Sequence, residues 1–321
     1  MRSNGILLST VLALLLSGPS LAHSVMYTFI AFAVPDAAVA GAWDINDAGQ
    51  IVGTFSNGLG THAFLKDGNT FTSFDAPGSI FTKYLGINNL GQTAGLFAVS
   101  PVLDRGFIKD GPVLTAFNAP GDFTTNAFKI NDAGQVVGYY IDGSGGNHGF
   151  LKDGATFTAI DVPGAPFTNA FGLNNAGDIV GRYQDATGMH GFLKVGPLFT
   201  PIDFPGAVYT DVLDINDAGE MAGRFRNVGD PLDFADGRFH GFSKTAEGFT
   251  VLDFPGSSIT EFLGINNKGV IVGQINTPEA LPFIAVPVSV PEPSGFVLFG
   301  STLVTLVALV CMASRPRRSR A

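Results

Sequence analysis

The chain has 321 residues, 45% hydrophobic and 14% charged, with 42 glycines and 29 phenylalanines, a composition typical of a turn-rich all-β protein with a large core. Five of the 18 basic residues and one of the 27 acidic residues lie outside residues 27–286, so the body of the chain holds 13 basic against 26 acidic residues. This charge argues against nucleic acid and anionic membrane surfaces as partners. The single cysteine, Cys311, also lies outside the body, which excludes disulfides and thiol chemistry there.

The first 22 residues have the pattern of a secretory signal peptide. Arg2 precedes an apolar run over 6–16, and Ser20, Leu21 and Ala22 provide small residues at the cleavage position. An uncleaved anchor is the alternative, although the run is short for a bilayer span. We therefore expect a signal helix in residues 1–22 and export of the rest.

A short box recurs six times in the body: an apolar residue, Asn, Asp or Asn, any residue, and Gly. The box asparagines are Asn46, Asn88, Asn131, Asn174, Asn216 and Asn266. Their spacings are 42, 43, 43, 42 and 50 residues. A fixed period of this size indicates a repeat architecture.

Each repeat carries four short apolar runs, as in 127–130, 135–139, 149–152 and 157–162 of the third repeat. Asn-Asp-x-Gly and Asp-Gly sequences favour tight hairpin turns, and Pro-Gly ends the fourth run because proline cannot donate to a β-ladder. Four strands in about 42 residues predict one blade of a β-propeller. A parallel β-solenoid is the alternative, but its coils are usually shorter and contain fewer hairpins.

The first repeat begins late and the last one ends early. Segment 29–36 aligns with 71–78, which holds a fourth strand, whereas no fourth strand follows Phe283 and Ile284. We therefore predict an all-β fold with six four-stranded blades over residues 27–286. The strand Phe29–Val34 closes the last blade, and this ring closure hides the sheet edges.

Two adjacent positions in the first strand differ in size. The residue three before each box asparagine is always large, and the residue two before it is mostly small or polar. The second set is Asp44, Gly86, Lys129, Gly172, Asp214 and Gly264. Neighbouring residues of a strand point to opposite faces, so this pattern predicts one bulky and one thin face.

Histidine and aspartate recur at fixed places in the repeats. The histidines are His62, His148, His190 and His240; the aspartates, which come shortly before Pro-Gly, are Asp75, Asp161, Asp203 and Asp253. Each histidine lies in a different blade, so we expect a structural hydrogen bond at the start of the third strand rather than a metal site. The aspartates are expected to accept turn amides, and the box asparagines to form turns.

Known catalytic and metal-binding motifs do not fit the repeats. Segment 44–55 begins like a calcium loop, but Ala48 occupies the fifth ligand position and Phe55 replaces the bidentate glutamate. The sequence has no nucleophile elbow, phosphate-binding loop or zinc spacing. No catalytic residue, metal ligand or cofactor is assigned.

The fifth repeat is seven or eight residues longer than its siblings, with a long loop over 225–239. In a propeller, loops between second and third strands share a face with the blade-to-blade connections, and that face usually binds ligands. A surface insertion without function is the simpler interpretation; a calcium or sugar site is the alternative. The ligand-face candidates are Arg226, Asp230, Asp233, Asp236 and Arg238.

The repeats resemble the extracellular HAF repeat family. The signature reads HAFLKDG from His62, HGFLKDG from His148, HGFLKVG from His190 and HGFSKTA from His240. The second repeat has Arg105 in place of histidine, and the sixth departs from the pattern at Pro282. The resemblance implies an exported repeat protein and brings no established reaction or catalytic residue.

The C-terminus resembles a PEP-CTERM sorting signal: a Pro-Glu-Pro linker at 287–294, an apolar transmembrane helix at 295–313 and a basic cytoplasmic tail at 314–321. The residues that carry the resemblance are Val290, Pro291, Glu292, Pro293, Arg315, Arg317, Arg318 and Arg320. It implies recognition by an exosortase in a Gram-negative bacterium, cleavage near Pro-Glu-Pro, and release or attachment at the cell surface, often beside exopolysaccharide genes. A plain C-terminal anchor is the alternative.

These features together predict a non-enzymatic surface or matrix protein that binds polysaccharide or protein partners. The alternative is an extracellular propeller hydrolase of the glycosidase or lactonase type. Such an enzyme needs carboxylates that converge near the axis, and the repeats offer few besides Asp44 and Asp214. Acids clustered over the axis would favour the enzyme, and dispersed acids would favour the binding protein.

Overall fold

The computed structural model describes residues 26–101, 103–230, 238–276 and 280–288. In these residues the chain is all-β: 24 strands form six antiparallel units of four, and no helix occurs. No helix in the described ranges could therefore span a membrane. The expected signal helix (1–22), the sorting segment (290–321) and its transmembrane helix lie outside the described residues.

The six four-stranded units are the blades, and in each of them the strands run in order from the innermost one outward. Blade 1 contains β2 (Val39–Ile45), β3 (Ile51–Asn57), β4 (Gly60–Asp67) and β5 (Thr70–Phe74). Blade 2 contains β6 (Phe81–Ile87), β7 (Thr93–Ser100), β8 (Leu103–Asp110) and β9 (Val113–Phe117). Blade 3 contains β10 (Asp122–Ile130), β11 (Val136–Asp142), β12 (Asn147–Asp153) and β13 (Thr156–Ile160).

The second half of the ring repeats this order. Blade 4 contains β14 (Phe167–Leu173), β15 (Ile179–Gln184), β16 (Met189–Val195) and β17 (Leu198–Ile202). Blade 5 contains β18 (Ala207–Ile215), β19 (Met221–Asn227), β20 (His240–Thr245) and β21 (Gly248–Val251). Blade 6 contains β22 (Thr260–Ile265), β23 (Ile271–Asn276), β24 (Ala280–Val288) and β1 (Met26–Ala31).

The first strand of the chain closes the last blade, as predicted, but its bounds differ. β1 pairs with β24 over Met26–Ala31, so the strand begins and ends three residues earlier than Phe29–Val34. Phe29 packs on Phe254, in the connection between blades 5 and 6, and on Phe283 of blade 6, at ring-centroid distances of 5.4 and 5.5 Å. Val34 instead joins the buried cluster of blade 1, because the chain crosses between the blades after Ala31.

Each innermost strand carries a β-bulge, which corrects the prediction of one bulky and one thin face. In blade 1 the pairing shifts between Ala42 and Asp44, and the same shift occurs at the matching place in the other five blades. A bulge inserts one unpaired residue, so two successive side chains can point to the same side. The large residues at this position and the charged residues that follow three of them therefore line the same axial cavity, namely Trp43, Leu85, Phe128, Phe171, Leu213 and Leu263 with Asp44, Lys129 and Asp214.

Each blade is centred on a phenylalanine of its third strand that packs over a glycine of the second strand. The pairs are Gly53–Phe64, Gly95–Phe107, Gly138–Phe150, Gly181–Phe192, Gly223–Phe242 and Gly273–Phe283. All six phenylalanines are fully buried. The phenylalanine of the HAF signature is thus the core residue of the blade, since only glycine leaves room for its ring.

Candidate functional site

The box turns form a closed ring at one end of the molecule, which we call the box face. Each box asparagine donates from Nδ2 to the carbonyl oxygen of the box asparagine in the next blade, at 3.0–3.3 Å. The sixth bond runs from Asn266 to Asn46 and joins the last blade to the first. The predicted turn role is confirmed, since Asn46 Oδ1 accepts the Gln50 amide at 3.0 Å, and the link between blades is an additional role.

The residue after each box asparagine forms a second ring, in which aspartate and asparagine alternate. Its members are Asp47, Asn89, Asp132, Asn175, Asp217 and Asn267. Each backbone amide donates to the Oδ1 atom of the next member, at 2.8–2.9 Å. Among the described residues, no group of three or more His, Cys, Asp or Glu side chains is arranged to hold a metal ion.

Above the rings, three charged side chains from alternate blades meet on the axis. Lys129 Nζ donates to Asp44 Oδ1 at 2.6 Å and to Asp214 Oδ2 at 2.7 Å. The glycines at this position in the other three blades leave space for them. The side chains of Asp44 and Asp214 are only 1% and 2% exposed, so neither is placed to contact a substrate.

Burial and pairing oppose each other in this axial triad. Burial raises the pKa of Asp44 to about 7, although the charge of Lys129 acts in the opposite direction. Burial also raises the pKa of Asp214. Burial disfavours the ammonium of Lys129, but the two carboxylates outweigh this and raise its pKa. The triad is therefore a structural element of the axis.

The repeated histidines make structural hydrogen bonds, as predicted. Nδ1 of each histidine lies 2.7–3.2 Å from the aspartate of the same blade, in the pairs His62–Asp75, His148–Asp161, His190–Asp203 and His240–Asp253. The prediction that these aspartates accept turn amides is wrong. In blade 1 the backbone amide of Ala76, in the turn that contains Gly78, donates to the hydroxyl of Thr82 at 2.9 Å instead. This buried threonine reaches the turn from the next strand.

The opposite end of the molecule, which we call the loop face, carries the loops between second and third strands and the blade-to-blade connections. The start of β4 and the start of β6 meet there, at Thr61 and Phe81. On this side two positions differ from blade to blade, one on the innermost strand and one opposite it on the second strand. The facing pairs are Gly41–Thr54, Lys83–Leu96, Asn126–Tyr139, Asn169–Arg182, Asp211–Arg224 and Glu261–Gln274.

Blades 4 to 6 place a cluster of charges at these positions. Arg182 Nη1 donates to Tyr209 Oη at 2.5 Å and lies 3.5 Å from Asp211 Oδ2. Arg224 Nε donates to Asp211 Oδ2 at 2.9 Å, and Arg224 Nη1 donates to Glu261 Oε1. Asp211 is fully buried, whereas the side chains of both arginines are 19% exposed. Solvent therefore reaches the cluster along Arg182 and Arg224.

A third arginine, Arg226, completes this group, which we call the arginine cluster (Arg182, Tyr209, Asp211, Arg224, Arg226, Phe239 and Glu261). Its guanidinium carbon lies 5.3 Å from the ring centre of Tyr209 and 5.7 Å from that of Phe239. Arg226 is 8% exposed, and its Nε and Nη1 atoms are buried without a hydrogen-bond partner. A guanidinium between two aromatic faces gains cation–π attraction but no neutralising charge.

The residues predicted for the ligand face have different outcomes. Arg226 belongs to the arginine cluster. Asp230 accepts the amide of Asn227 at 2.7 Å and lies 3.7 Å from His240 Nε2, so it stabilises its own loop. Arg238 is exposed. Asp233 and Asp236 lie outside the described residues, so the proposed calcium ligands stay a prediction.

Sequence reasoning missed Arg182, Tyr209, Asp211, Arg224 and Glu261. The available signal was a break in the repeat, because these positions vary from blade to blade while the box and the core glycine recur. Two of these residues, Asp211 and Glu261, are acids that lie close together on innermost strands, and such clustering is the arrangement that would favour an enzyme. Each of them, however, bonds to an arginine guanidinium, so it is held as an ion-pair partner.

Comparisons with known proteins show the fold. No family model matches the chain, and the curated proteins contain no significant match. Among solved structures, SapL1 lectin in complex with alpha methyl fucoside has a TM-score of 0.50 and 12% identity, over 80% of this chain and 98% of that one. TolB from Acinetobacter baumannii has a TM-score of 0.53 and 10% identity, over 79% and 64%. A gluconolactonase-like protein has a TM-score of 0.48 and 12% identity, over 81% and 92%.

Proposed function

We propose that this chain is an exported, non-enzymatic surface or matrix protein whose propeller binds polysaccharide through the arginine cluster of the loop face. The observation that carries the proposal is that cluster: aromatic rings, charged hydrogen-bonding groups and unpartnered polar atoms lie together on the face where a propeller presents its variable loops. Sugar sites combine aromatic surface with a few placed polar groups. SapL1 shows that the fold takes a sugar in that protein.

The proposal also includes how the protein is exported and sorted. Residues 1–22 direct export, and the Pro-Glu-Pro sequence at 291–293, the apolar run at 295–313 and the terminal arginines direct sorting by an exosortase. Membrane attachment through the C-terminal helix is then transient, and the mature protein stays at the cell surface or is released. Protein partners at the surface are the other ligands to be tested.

A glycan array with the full-length chain, with and without calcium, tests the binding function. Specific capture of a glycan class is expected, and loss of that capture in Asp211→Asn would assign it to the loop face. Calcium dependence that disappears when Asp230, Asp233 and Asp236 are all changed to Ala would support the fifth-repeat site. Unchanged calcium and glycan binding in that triple variant would exclude it.

The sorting proposal has its own test in a host that carries an exosortase. The wild-type chain is expected to lose its C-terminal segment, which changes its mass and removes it from the inner membrane. Glu292→Ala should leave the full-length chain in the membrane fraction. Equal processing of both chains would contradict recognition through the Pro-Glu-Pro sequence.

A further inference from the structure

The arginine cluster contains buried polar atoms that have no hydrogen-bond partner among the described residues. Arg182 Nε, Arg226 Nε, Arg226 Nη1 and Asp211 Oδ1 are all buried and have no hydrogen-bond partner in the structure. About nine in ten buried polar groups in folded proteins are paired. Four unpaired atoms in one cluster therefore indicate a partner beyond the described residues.

The unpaired atoms define the chemistry of that partner. Three are guanidinium N–H donors, which match the oxygens of a carboxylate or sulfate. The fourth is a carboxylate oxygen, which accepts a hydroxyl proton. The three arginines of the cluster exceed its two carboxylates by one positive charge. A single anionic group beside a hydroxyl would satisfy both the charge and the hydrogen bonds.

We propose that the arginine cluster binds an anionic sugar residue. The carboxylate or sulfate of the sugar accepts hydrogen bonds from Arg226 and Arg182, and a neighbouring hydroxyl donates to Asp211. The inference rests on the proposed function and narrows its ligand from polysaccharide in general to acidic polysaccharide. Nε and Nη1 of Arg226 hold no hydrogen bond that would have to break for this contact to form.

The acidic body of the protein gives this inference a distinctive salt dependence. A long polyanion is repelled at a distance by the net negative charge, and added salt screens that repulsion. The contacts within the cluster are short and largely buried, so salt screens them much less. Affinity should therefore stay constant or rise with salt, whereas adsorption to a basic surface would weaken steeply.

The unpaired charge also predicts an unusual stability effect. Arg226 is 8% exposed and forms no ion pair with a carboxylate of the described residues, and a buried charge without a partner destabilises the folded state. Removal of the charge should leave the melting temperature unchanged or raise it. A structural arginine would show the opposite.

Calorimetric titration of the full-length chain in detergent tests the proposal with three matched probes: a galacturonic acid trisaccharide, the neutral galactose trisaccharide and its sulfated form. We expect the acidic probes to bind at least tenfold more tightly than the neutral one. The uronate and sulfate arms identify which anionic group the site prefers. The proposal fails if the neutral trisaccharide binds as tightly as the acidic ones, or if the acidic probes give only the heat of dilution. Either result would mean that ordered water alone satisfies the buried atoms.

Two variants separate recognition from folding. Arg226→Gln should weaken the acidic probe at least tenfold without lowering the melting temperature. Arg105→Gln, which changes an exposed arginine bonded to Asn118 in blade 2, is the matched control and should change neither. Unchanged affinity in Arg226→Gln, or a clear drop in its melting temperature, overturns the inference. If neutral glycans bind and acidic ones do not, the inference fails while the proposed function stands; if no glycan binds, both fail.

Discussion

One lysine side chain connects three of the six blades at the axis. Lys129 bridges Asp44 of blade 1 and Asp214 of blade 5 through two hydrogen bonds. Two carboxylates share one ammonium, so the buried triad carries a net negative charge when both are ionised. This arrangement holds the blades in register, but it leaves Asp44 sensitive to pH.

We expect the free energy of unfolding to fall as pH rises from about 4 to about 7. Burial raises the pKa of Asp44 to about 7, while the unfolded chain keeps the ordinary value of 3.8, so in this window the folded protein holds a proton that the unfolded protein has lost. Lower pH therefore favours the folded state. Thermal melts of the full-length chain across this range should show the slope, and Asp44→Asn should reduce it.

Burial also raises the pKa values of Asp214 and Asp104, so these groups add to the slope in the same direction, and Asp44→Asn should reduce the slope rather than abolish it. Partial burial disfavours the charged form of His148, but hydrogen bonds and charges from Asp161 and Asp142 outweigh this and raise its pKa above 6.5, so its contribution is lost only at higher pH. Hydrogen bonds from Ser144 lower the pKa of Asp142, which therefore matters only below about 4. Between about pH 5 and 6, an unchanged slope in Asp44→Asn would contradict the assignment.

At the scale of one element, the second strand of each blade depends on a glycine at its centre. A Cβ atom on Gly138 would lie 1.9 Å from the carbonyl oxygen of Asn126 and 2.9 Å from the ring of Phe150. The backbone oxygen cannot move without breaking the pairing of β10 and β11. The glycine therefore determines how closely the first three strands of the blade pack.

Gly138→Ala should lower the free energy of unfolding by about 3 kcal/mol or more, because small-to-large changes in a packed core are strained. Gly58→Ala is the control: its Cβ would meet no heavy atom within 4 Å, and its backbone is not left-handed. The control should stay within about 0.5 kcal/mol of the wild type. Chemical denaturation measures both, and equal values for the two variants would refute this account of the blade core.

At the scale of the whole molecule, the ring is closed by a strand at the beginning of the chain and a hydrogen bond at the box face. β1 completes blade 6, and Asn266 donates to Asn46 at 3.1 Å. Without β1, β24 would become the edge of its sheet and could pair with other chains. Closure therefore protects the molecule from aggregation as well as unfolding.

Deletion of residues 26–31 should lower the melting temperature by about 10 °C or more. β1 packs the partly buried Tyr27 and Phe29 against the core of blade 6, each side chain contributing about 2–3 kcal/mol at most, and each kcal/mol shifts the melting temperature of a domain this size by about 2–4 °C. Ile30→Lys, at a position that is 40% exposed on the same strand, is the control and should melt like the wild type. A normal melting temperature in the deleted chain, measured by calorimetry, would show that β1 does not close the ring.

The amino-acid sequence by itself determined the blade count, the strand order and the identity of the closing segment. These follow from local turn chemistry and a period that repeats in every blade, so no long-range information is needed. The structural role of the histidines was also predictable, because one residue at one place in each blade cannot converge with its copies. The signal peptide at 1–22 and the sorting signal at the C-terminus stay predictions from the sequence.

Only the tertiary structure decided what the variable positions do together. The bulge at Ala42–Asp44 and its counterparts turn two adjacent residues toward the axis, which strand alternation alone would not predict. Lys129 then lies between carboxylates 85 residues away in each direction. In the same way, Arg182, Asp211 and Glu261 come from three blades and meet through cross-blade hydrogen bonds and ion pairs. Ring closure creates these contacts, because residues that the sequence keeps one or two repeats apart become neighbours around the axis.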